Sequence, residues 1–328
     1  MQTDMRNKKV LITGGMGFIG SNLARELVAR GAQVTIVDAQ LPEYGANNFN
    51  FDGIQDAVTF VQADVRDAEA MEKAVLDQDY IFDLAAQVSY LDSKHEPLKD
   101  LEINCTSKLI LLEACRKQNQ RVKIVFTSSR MVYGKIEITP VSETHATEPL
   151  SLYGIHKLTA EKYFTNYFQN FGIASASVRI PNPYGPRQHV RHSNYGIVGW
   201  FIRQAIEGKP IQVFGDGEQI RDYIYIDDLI SGLIAVAETE ATQGQVYNVG
   251  SAESMSFKTM AETVIEAVGQ GSVEHVAWPE DYEKNETGDY VADIKKLTEA
   301  TGWKPSVSFK NGVSKAVAFY KQHAEHYW

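Results

Sequence analysis

Cysteine is scarce: Cys105 and Cys115 are the only two in 328 residues. Two thiols ten residues apart on one predicted helix build no disulfide framework, so small buried side chains in a reducing compartment are expected. No segment approaches the ~20 apolar residues of a membrane span. The opening MQTDMRNKK runs into a strand without a leader-like apolar stretch, and the expectation is a cytoplasmic protein. None of the eight histidines stands in HExxH or comparable ligand spacing, so no metal is predicted. Positive charge is also short, with 32 Lys and Arg against 42 Asp and Glu and a net charge of −10. That balance argues against nucleic acid or anionic membranes as partners, and any anionic ligand needs a local basic pocket. Internal repeats and low-complexity tracts are absent.

The first half alternates β-rich runs with helical periodicity. Val10–Thr13, Val34–Val37, Val58–Val61, Tyr80–Leu84, Val122–Phe126 and Ala174–Ile180 read as strands. Phe18–Arg30, about Ala68–Leu76, Leu98–Lys117 and Tyr153–Asn170 read as helices, the first ending at Gly31. Strands apolar on both faces and separated by helices predict an α/β fold, a doubly wound parallel sheet of Rossmann type. After Ile180 the prolines 181, 183 and 186 break the alternation. Residues 181–221 and 253–328 therefore read as a smaller C-terminal substrate-binding lobe. Residues 1–180 plus about 222–252 read as the dinucleotide-binding domain, with Asp227–Thr239 and Val246–Val249 a last helix and strand returning to the sheet.

Thr13-Gly14-Gly15-Met16-Gly17-Phe18-Ile19-Gly20 places three glycines in a GxxGxxG pattern between a strand and a helix. Such a turn brings backbone close to a pyrophosphate and sets it on the helix N-terminus. Asp38 ends the second strand 18 residues after Gly20. A carboxylate there binds both ribose hydroxyls of an adenosine and repels a 2′-phosphate; with Ala39 and Gln40 following instead of arginine, NAD is favoured over NADP. Asp64 and Val65 stand where they would bracket the adenine, although Asp64 also suits a helix N-cap.

Tyr153 and Lys157 stand at i and i+4, on one helical face. A phenol ionises near about 10, so a tyrosine base near neutral pH needs roughly 4 kcal/mol of extra preference for the phenolate. The ammonium of Lys157 and the cation of a nicotinamide are its expected sources. Upstream, Phe126-Thr127-Ser128-Ser129-Arg130-Met131-Val132-Tyr133-Gly134 ends the fifth strand with hydroxyls facing the same cleft. The run Arg187-Gln188-His189-Val190-Arg191-His192 is basic for so acidic a chain; it suits a phosphate or a carboxylate, or equally a solvated loop.

The glycine turn, Leu84-Ala85-Ala86, Asn104, SSxxVYG, YxxxK and Asn182-Pro183-Tyr184-Gly185-Pro186-Arg187 stand in the order seen in extended short-chain dehydrogenases/reductases. The chain resembles the NAD-dependent epimerase/dehydratase family over about its whole length. The resemblance implies that Ser129 is the active-site hydroxyl, Tyr153 the base and Lys157 its partner. It further implies NAD on the glycine turn, on Leu84, Ala85 and Ala86 and beside Asn104. Asn182, Arg187 and Arg221 would contact a nucleotide sugar, and Gln212 and Phe214 its base. Family dehydratases carry Asp-Glu after the hydroxyl, and decarboxylating relatives usually a glutamate; Arg130 and Met131 stand there instead. A family arginine before the late Gly-Asp is also missing from Glu283-Lys284-Asn285-Glu286-Thr287-Gly288-Asp289, where Lys284, or else Arg187 or Arg191, is the candidate replacement.

The implied reaction is C4 epimerisation of a nucleoside diphosphate hexose or uronate through a transient 4-keto sugar. A dehydrogenase, reductase, decarboxylase or dehydratase of the same family is the alternative, and a non-catalytic NAD sensor a more distant one. The family's pairing of two helices per subunit implies a homodimer, here through Leu109, Ile110, Leu112, Tyr163, Phe164, Tyr167 and Phe168.

Overall fold

In a computed structural model, which describes residues 5–328, the early apolar runs become parallel strands whose ends meet on one edge. Residues 1–4, which open the segment read as lacking a leader, lie outside the described residues. In chain order the first half comprises β1 (Lys9–Thr13), α1 (Phe18–Ala29), β2 (Gln33–Asp38), β3 (Val58–Gln62), α2 (Ala68–Ala74), β4 (Tyr80–Asp83), α3 (Tyr90–His95), α4 (Pro97–Leu101), α5 (Ser107–Gln118), β5 (Lys123–Ser129), α6 (Leu152–Phe171) and β6 (Ser175–Ile180). The second half adds β7 (Asn182–Tyr184), α7 (Ile197–Ile206), β8 (Pro210–Phe214), β9 (Ile220–Arg221), β10 (Tyr223–Tyr225), α8 (Ile226–Glu238), β11 (Val246–Asn248), β12 (Met255–Ser256), α9 (Phe257–Val268), β13 (Ser272–Val276), α10 (Glu280–Glu283), α11 (Lys295–Thr301) and α12 (Phe309–His323).

Seven strands form the central sheet in the order β11-β6-β5-β4-β1-β2-β3, and every pairing is parallel. The order reverses beside β1, the place where such sheets open a ligand crevice at their carboxyl ends. One apolar core, with Leu27, Leu229, Phe201 and Tyr320, covers one face and runs on into the C-terminal elements. A second, with Leu11, Ile81, Leu111, Phe126 and Phe164, covers the other. Burial on both faces is why the strand sequences are continuously apolar rather than alternating. Edge strand β3 departs from that expectation, and Phe60 stays 37% exposed. No α-helix joins β2 to β3; short 3₁₀ turns at 42–44, 48–51 and 55–57 do so.

The predicted helix 98–117 is interrupted. A π-type turn at Glu102–Thr106 separates α4 from α5 and buries Ile103, Asn104 and Cys105. Both cysteines are free and buried, and burial pushes the Cys115 thiol up to about 12. Helices α7, α9 and α12 of the C-terminal region carry apolar faces that pack on one another, and β8 pairs in parallel with β13. No helix among the described residues is long and apolar enough to cross a membrane.

A buried ionic brace joins four elements near the carboxyl edge of the sheet. Arg179 on β6 donates through Nε and Nη2 to the two oxygens of Glu161 on α6, at 2.9 and 2.7 Å. Ser128 on β5 also donates to Glu161. The Arg179 guanidinium lies 4.6 Å from the Tyr133 ring, whose hydroxyl donates to Asn248 on β11. Removing one member of such a buried pair leaves the other uncompensated. Glu161→Ala is therefore expected to cost about 3–5 kcal/mol in urea unfolding, and adding Arg179→Met should restore a measurable part of it. Equal stability of Glu161→Ala and the wild-type protein would show the brace to be neutral.

Candidate active site

The glycine turn depends on close backbone contact. Gly14 has φ +71°, and a Cβ there would stand 2.8 Å from Ala85 Cα. A Cβ on Gly20 would stand 2.3 Å from the Gly14 carbonyl oxygen, so helix and turn meet without side chains between them. Gly17 is the N-cap of α1 and supplies no side-chain cap. The first N–H groups of the helix are left for a ligand, and Phe18, Ile19 and Gly20 line the cavity.

Across the turn, Asp83 ends β4. Its Oδ1 accepts from Thr13 Oγ1 at 2.8 Å and Lys108 Nζ at 3.1 Å. Lys108 also donates to the Ala85 carbonyl at 2.7 Å, and Thr13 Oγ1 accepts from the Leu84 and Ala85 N–H groups. This mesh shapes the wall of Leu84, Ala85 and Ala86. Asp38 ends β2 with Oδ2 accepting from Met16 N and Oδ1 from Gln40 N, and burial raises its carboxyl. Asp64 is gripped by Arg66, whose hydrogen bonds hold its carboxyl below the usual range. Asp67, not Asp64, caps α2, which leaves Asp64 and Val65 on the cavity wall. Turn, wall and free carboxylate lone pairs fit a dinucleotide.

Asn104 is fully buried behind that wall and does not line the cavity. Its amide donates to the Gln87 carbonyl at 2.8 Å and to Asp100 at 2.9 Å. The expected direct contact with cofactor is thus corrected to support of the segment after β4, made possible by the π turn that turns Asn104 inward.

Tyr153 is in the first turn of α6, capped by Ser151, and its N–H donates to Ser93 Oγ. Gly154 leaves room for the chain at Met131, whose carbonyl would stand 2.6 Å from a Cβ. Burial pushes the Tyr153 phenol up to about 12, opposed by its hydrogen bond to Ser129 and by the charge of Arg130. Burial, then Lys108, pulls the Lys157 ammonium down to about 7. Lys157 Nζ donates to the Thr127 carbonyl at 3.0 Å and lies 5.9 Å from the Tyr153 ring centre. Ser129 and Arg130 oppose the burial of the phenol.

The cavity has a volume of about 460 Å³ and runs from Asp38 past Ser129, Tyr153 and Lys157 to Phe214. Asn182 lines it and donates to the Asp222 carbonyl at 2.9 Å. Phe214 meets Trp278 and Tyr282 with ring centres 5.5 and 5.3 Å apart. Arg221 lines it too, clasped by both oxygens of Glu286 at 2.6 Å. Two predicted contacts are absent from the wall. Gln212 is exposed on β8, on the same face as Phe214 but two residues before it and outside the cavity wall. Arg187, at φ +71°, donates to Asn22 and lies over the Phe319 ring; its neighbours Gln188 and His189 line the cavity instead. Lys284 pairs with Glu280 on the surface and does not replace the missing arginine. Tyr90, Arg130, Trp278, Tyr282 and Glu286 line the cavity without having been predicted. Arg130 adjoins Ser129 in the motif itself and was legible; the others come from segments without a periodic or spacing signal.

The model of the NAD dependent epimerase/dehydratase family matches residues 10–250. The UDP-glucose 4-epimerase of Mycolicibacterium smegmatis is 32% identical over 322 residues, covering 97% of this chain and all of that one. The UDP-N-acetyl-alpha-D-glucosaminuronate decarboxylase of Bacillus cytotoxicus is 30% identical, covering 96% of this chain and 98% of that one. Among solved structures, the UDP-glucose 4-epimerase of Thermus thermophilus, in complex with NAD, superposes with a TM-score of 0.85 at 31% identity, covering 95% of this chain and 99% of that one. With a Rossmann-type sheet, a dinucleotide cradle and this match, the chain belongs to the NAD-dependent epimerase/dehydratase family.

Proposed function

We propose that the protein interconverts C4 epimers of a nucleoside diphosphate hexose or uronate. The observation that carries this reading is the contact of Tyr153 with Ser129 on the cavity wall, followed by Arg130 and Met131 where no carboxylate is available. Bound NAD supplies the acceptor and donor of the hydride. Gly14, Gly17, Phe18, Ile19 and Gly20 would hold its pyrophosphate, Asp38 the adenosine ribose, and Asp64 with Val65 the adenine. Leu84, Ala85 and Ala86 would flank it, and Lys157, anchored on Thr127 by one of its N–H groups, would reach the second ribose.

Tyr153 removes the proton of the C4 hydroxyl, and Ser129 hydrogen-bonds the same oxygen as the carbonyl forms. The proton later returns from Tyr153. Asn182, Phe214 and Arg221 anchor the nucleotide portion while the keto sugar turns over. Loss of water would need an acid and a base after Ser129; neither Arg130 nor Met131 is one at neutral pH. NMR of the product settles the reaction class: inversion confined to C4 is expected, and a dehydrated or decarboxylated product overturns the assignment.

The division of labour follows the chain order, with residues 1–180 and about 222–252 holding cofactor and residues 181–221 and 253–328 holding nucleotide. We also assign a homodimer through α4 and α6, where Leu98 is 72% exposed and Leu101, Leu152 and Ile155 are exposed beside it. Leu112 and Phe164, expected at that face, pack inside instead. Light scattering should give a dimer mass for the wild-type protein and a monomer for Leu98→Glu.

The first proton lost from the Tyr153–Lys157 pair belongs to both groups. The reactive form, phenolate beside ammonium, has lost that one proton, so kcat/KM should rise with pH through about 7 and then level. Lys157→Met should move the rising limb up toward the phenol's own value near 12. An unmoved limb removes Lys157 from the acid–base chemistry. Tyr153→Phe should lower kcat at least about a hundredfold with NAD still bound. For the cofactor, Asp38→Ala should weaken NAD in calorimetry by about tenfold and narrow the preference over NADP; an unchanged ratio would dissociate Asp38 from ribose recognition.

A further inference from the structure

Among the described residues, Arg130 is the one guanidinium on the cavity wall whose charge has no carboxylate partner. Its Nη1 donates to the neutral hydroxyl of Thr287 at 3.0 Å, and its carbon lies 5.6 Å from the Tyr290 ring centre. Its other nitrogens are not sealed in protein, since the side chain opens on the cavity and none of them is a buried unsatisfied atom. The acid nearest in role, Glu286, is committed through both oxygens to Arg221. Burial lowers the Arg130 guanidinium to about 10, with Arg221 adding to the effect, so it still carries its charge at neutral pH. The carboxylates of Glu286 and Asp222 act on it only from a distance, and a bidentate anion is the ligand its planar fork matches.

Its position narrows the anion. Arg130 directly follows Ser129, whose hydroxyl meets the Tyr153 phenol, and its charge is felt at Tyr153. It therefore borders the reacting end of the cavity, with Arg221 and Glu286 on its other side. Arg221 stands on β9, and the aromatic cluster of Phe214, Trp278 and Tyr282 marks the far end. A diphosphate lies between base and sugar, whereas a carboxylate on C5 of a hexuronate lies one carbon from the reacting C4. We infer that Arg130 pairs with a sugar carboxylate and that the substrate is a nucleoside diphosphate uronate rather than a neutral hexose. This choice within the substrate class rests on the C4-epimerase reading, yet its test does not depend on turnover.

The test is calorimetry of the NAD-loaded protein with UDP-glucuronate and UDP-glucose, which differ only in carboxylate against hydroxymethyl. The wild-type protein should bind the uronate about tenfold to a hundredfold more tightly, the worth of one hydrogen-bonded charge. Arg130→Met should bring that ratio to about one, and Arg130→Gln serves if the methionine variant fails to fold. Equal wild-type affinities, at whatever level, overturn the inference. So does a ratio that survives in the variants, including a parallel loss for both sugars, which would assign Arg130 to the diphosphate. A uronate preference without C4 inversion by NMR leaves Arg130 as inferred and removes the epimerase reading. Inversion of UDP-glucose with no uronate preference does the reverse.

Discussion

One buried carboxylate organises the cofactor side of the molecule. Asp83, joined to Thr13 and Lys108, ties the ends of β1 and β4 to α5. The glycine turn leaves β1 at that point, and Ala85 is the backbone against which Gly14 has no room for a side chain. A buried ion pair is a poor source of net stability, since both charges are taken out of water. Its contribution here is register: two strand ends and one helix are held so that the turn and the wall face each other at fixed spacing. The brace of Glu161 and Arg179 does the same for β5, β6 and α6 on the other side. The two ionic clusters stand below the two halves of the cavity.

Between them the reactive groups meet in a medium that works against ionisation. Burial raises the Tyr153 phenol and lowers the Lys157 ammonium, so each is pushed toward its neutral form. The two shifts move the groups apart, so the phenolate beside an ammonium is disfavoured until further charge enters the site, as the cation of a nicotinamide would supply. The i, i+4 spacing on α6 supplies the proximity, and the carbonyl of Thr127 sets the reach of the lysine.

Much of this was readable from the chain. Strands buried on both faces announce themselves as continuous apolar runs; the glycine turn, Asp38, Ser129 and Tyr153 fall at strand ends or a first helical turn, and Lys157 lies one turn further along α6. What failed depended on side-chain position and direction. Gln212 shares a strand face with Phe214 but sits two residues earlier, beyond the reach of the cavity. Arg187 adjoins the cavity, but its left-handed backbone sends the guanidinium to Asn22 and Phe319. Asn104 was read on a regular helix, whereas the π turn rotates it behind the wall. The helices α7, α9 and α12 went unread although each carries a clear apolar stripe. Trp278 and Tyr282 come to Phe214 through tertiary packing of β13 and α10, which no local pattern encodes.

The clasp of Glu286 on Arg221 has a consequence for traffic through the site. A guest with phosphate oxygens that takes hold of Arg221 displaces an internal anion rather than neutralising a bare cation. On the proposed reading of Arg221 as a diphosphate contact, entry is an exchange of counter-ions, and Glu286 competes with the departing product for the same guanidinium.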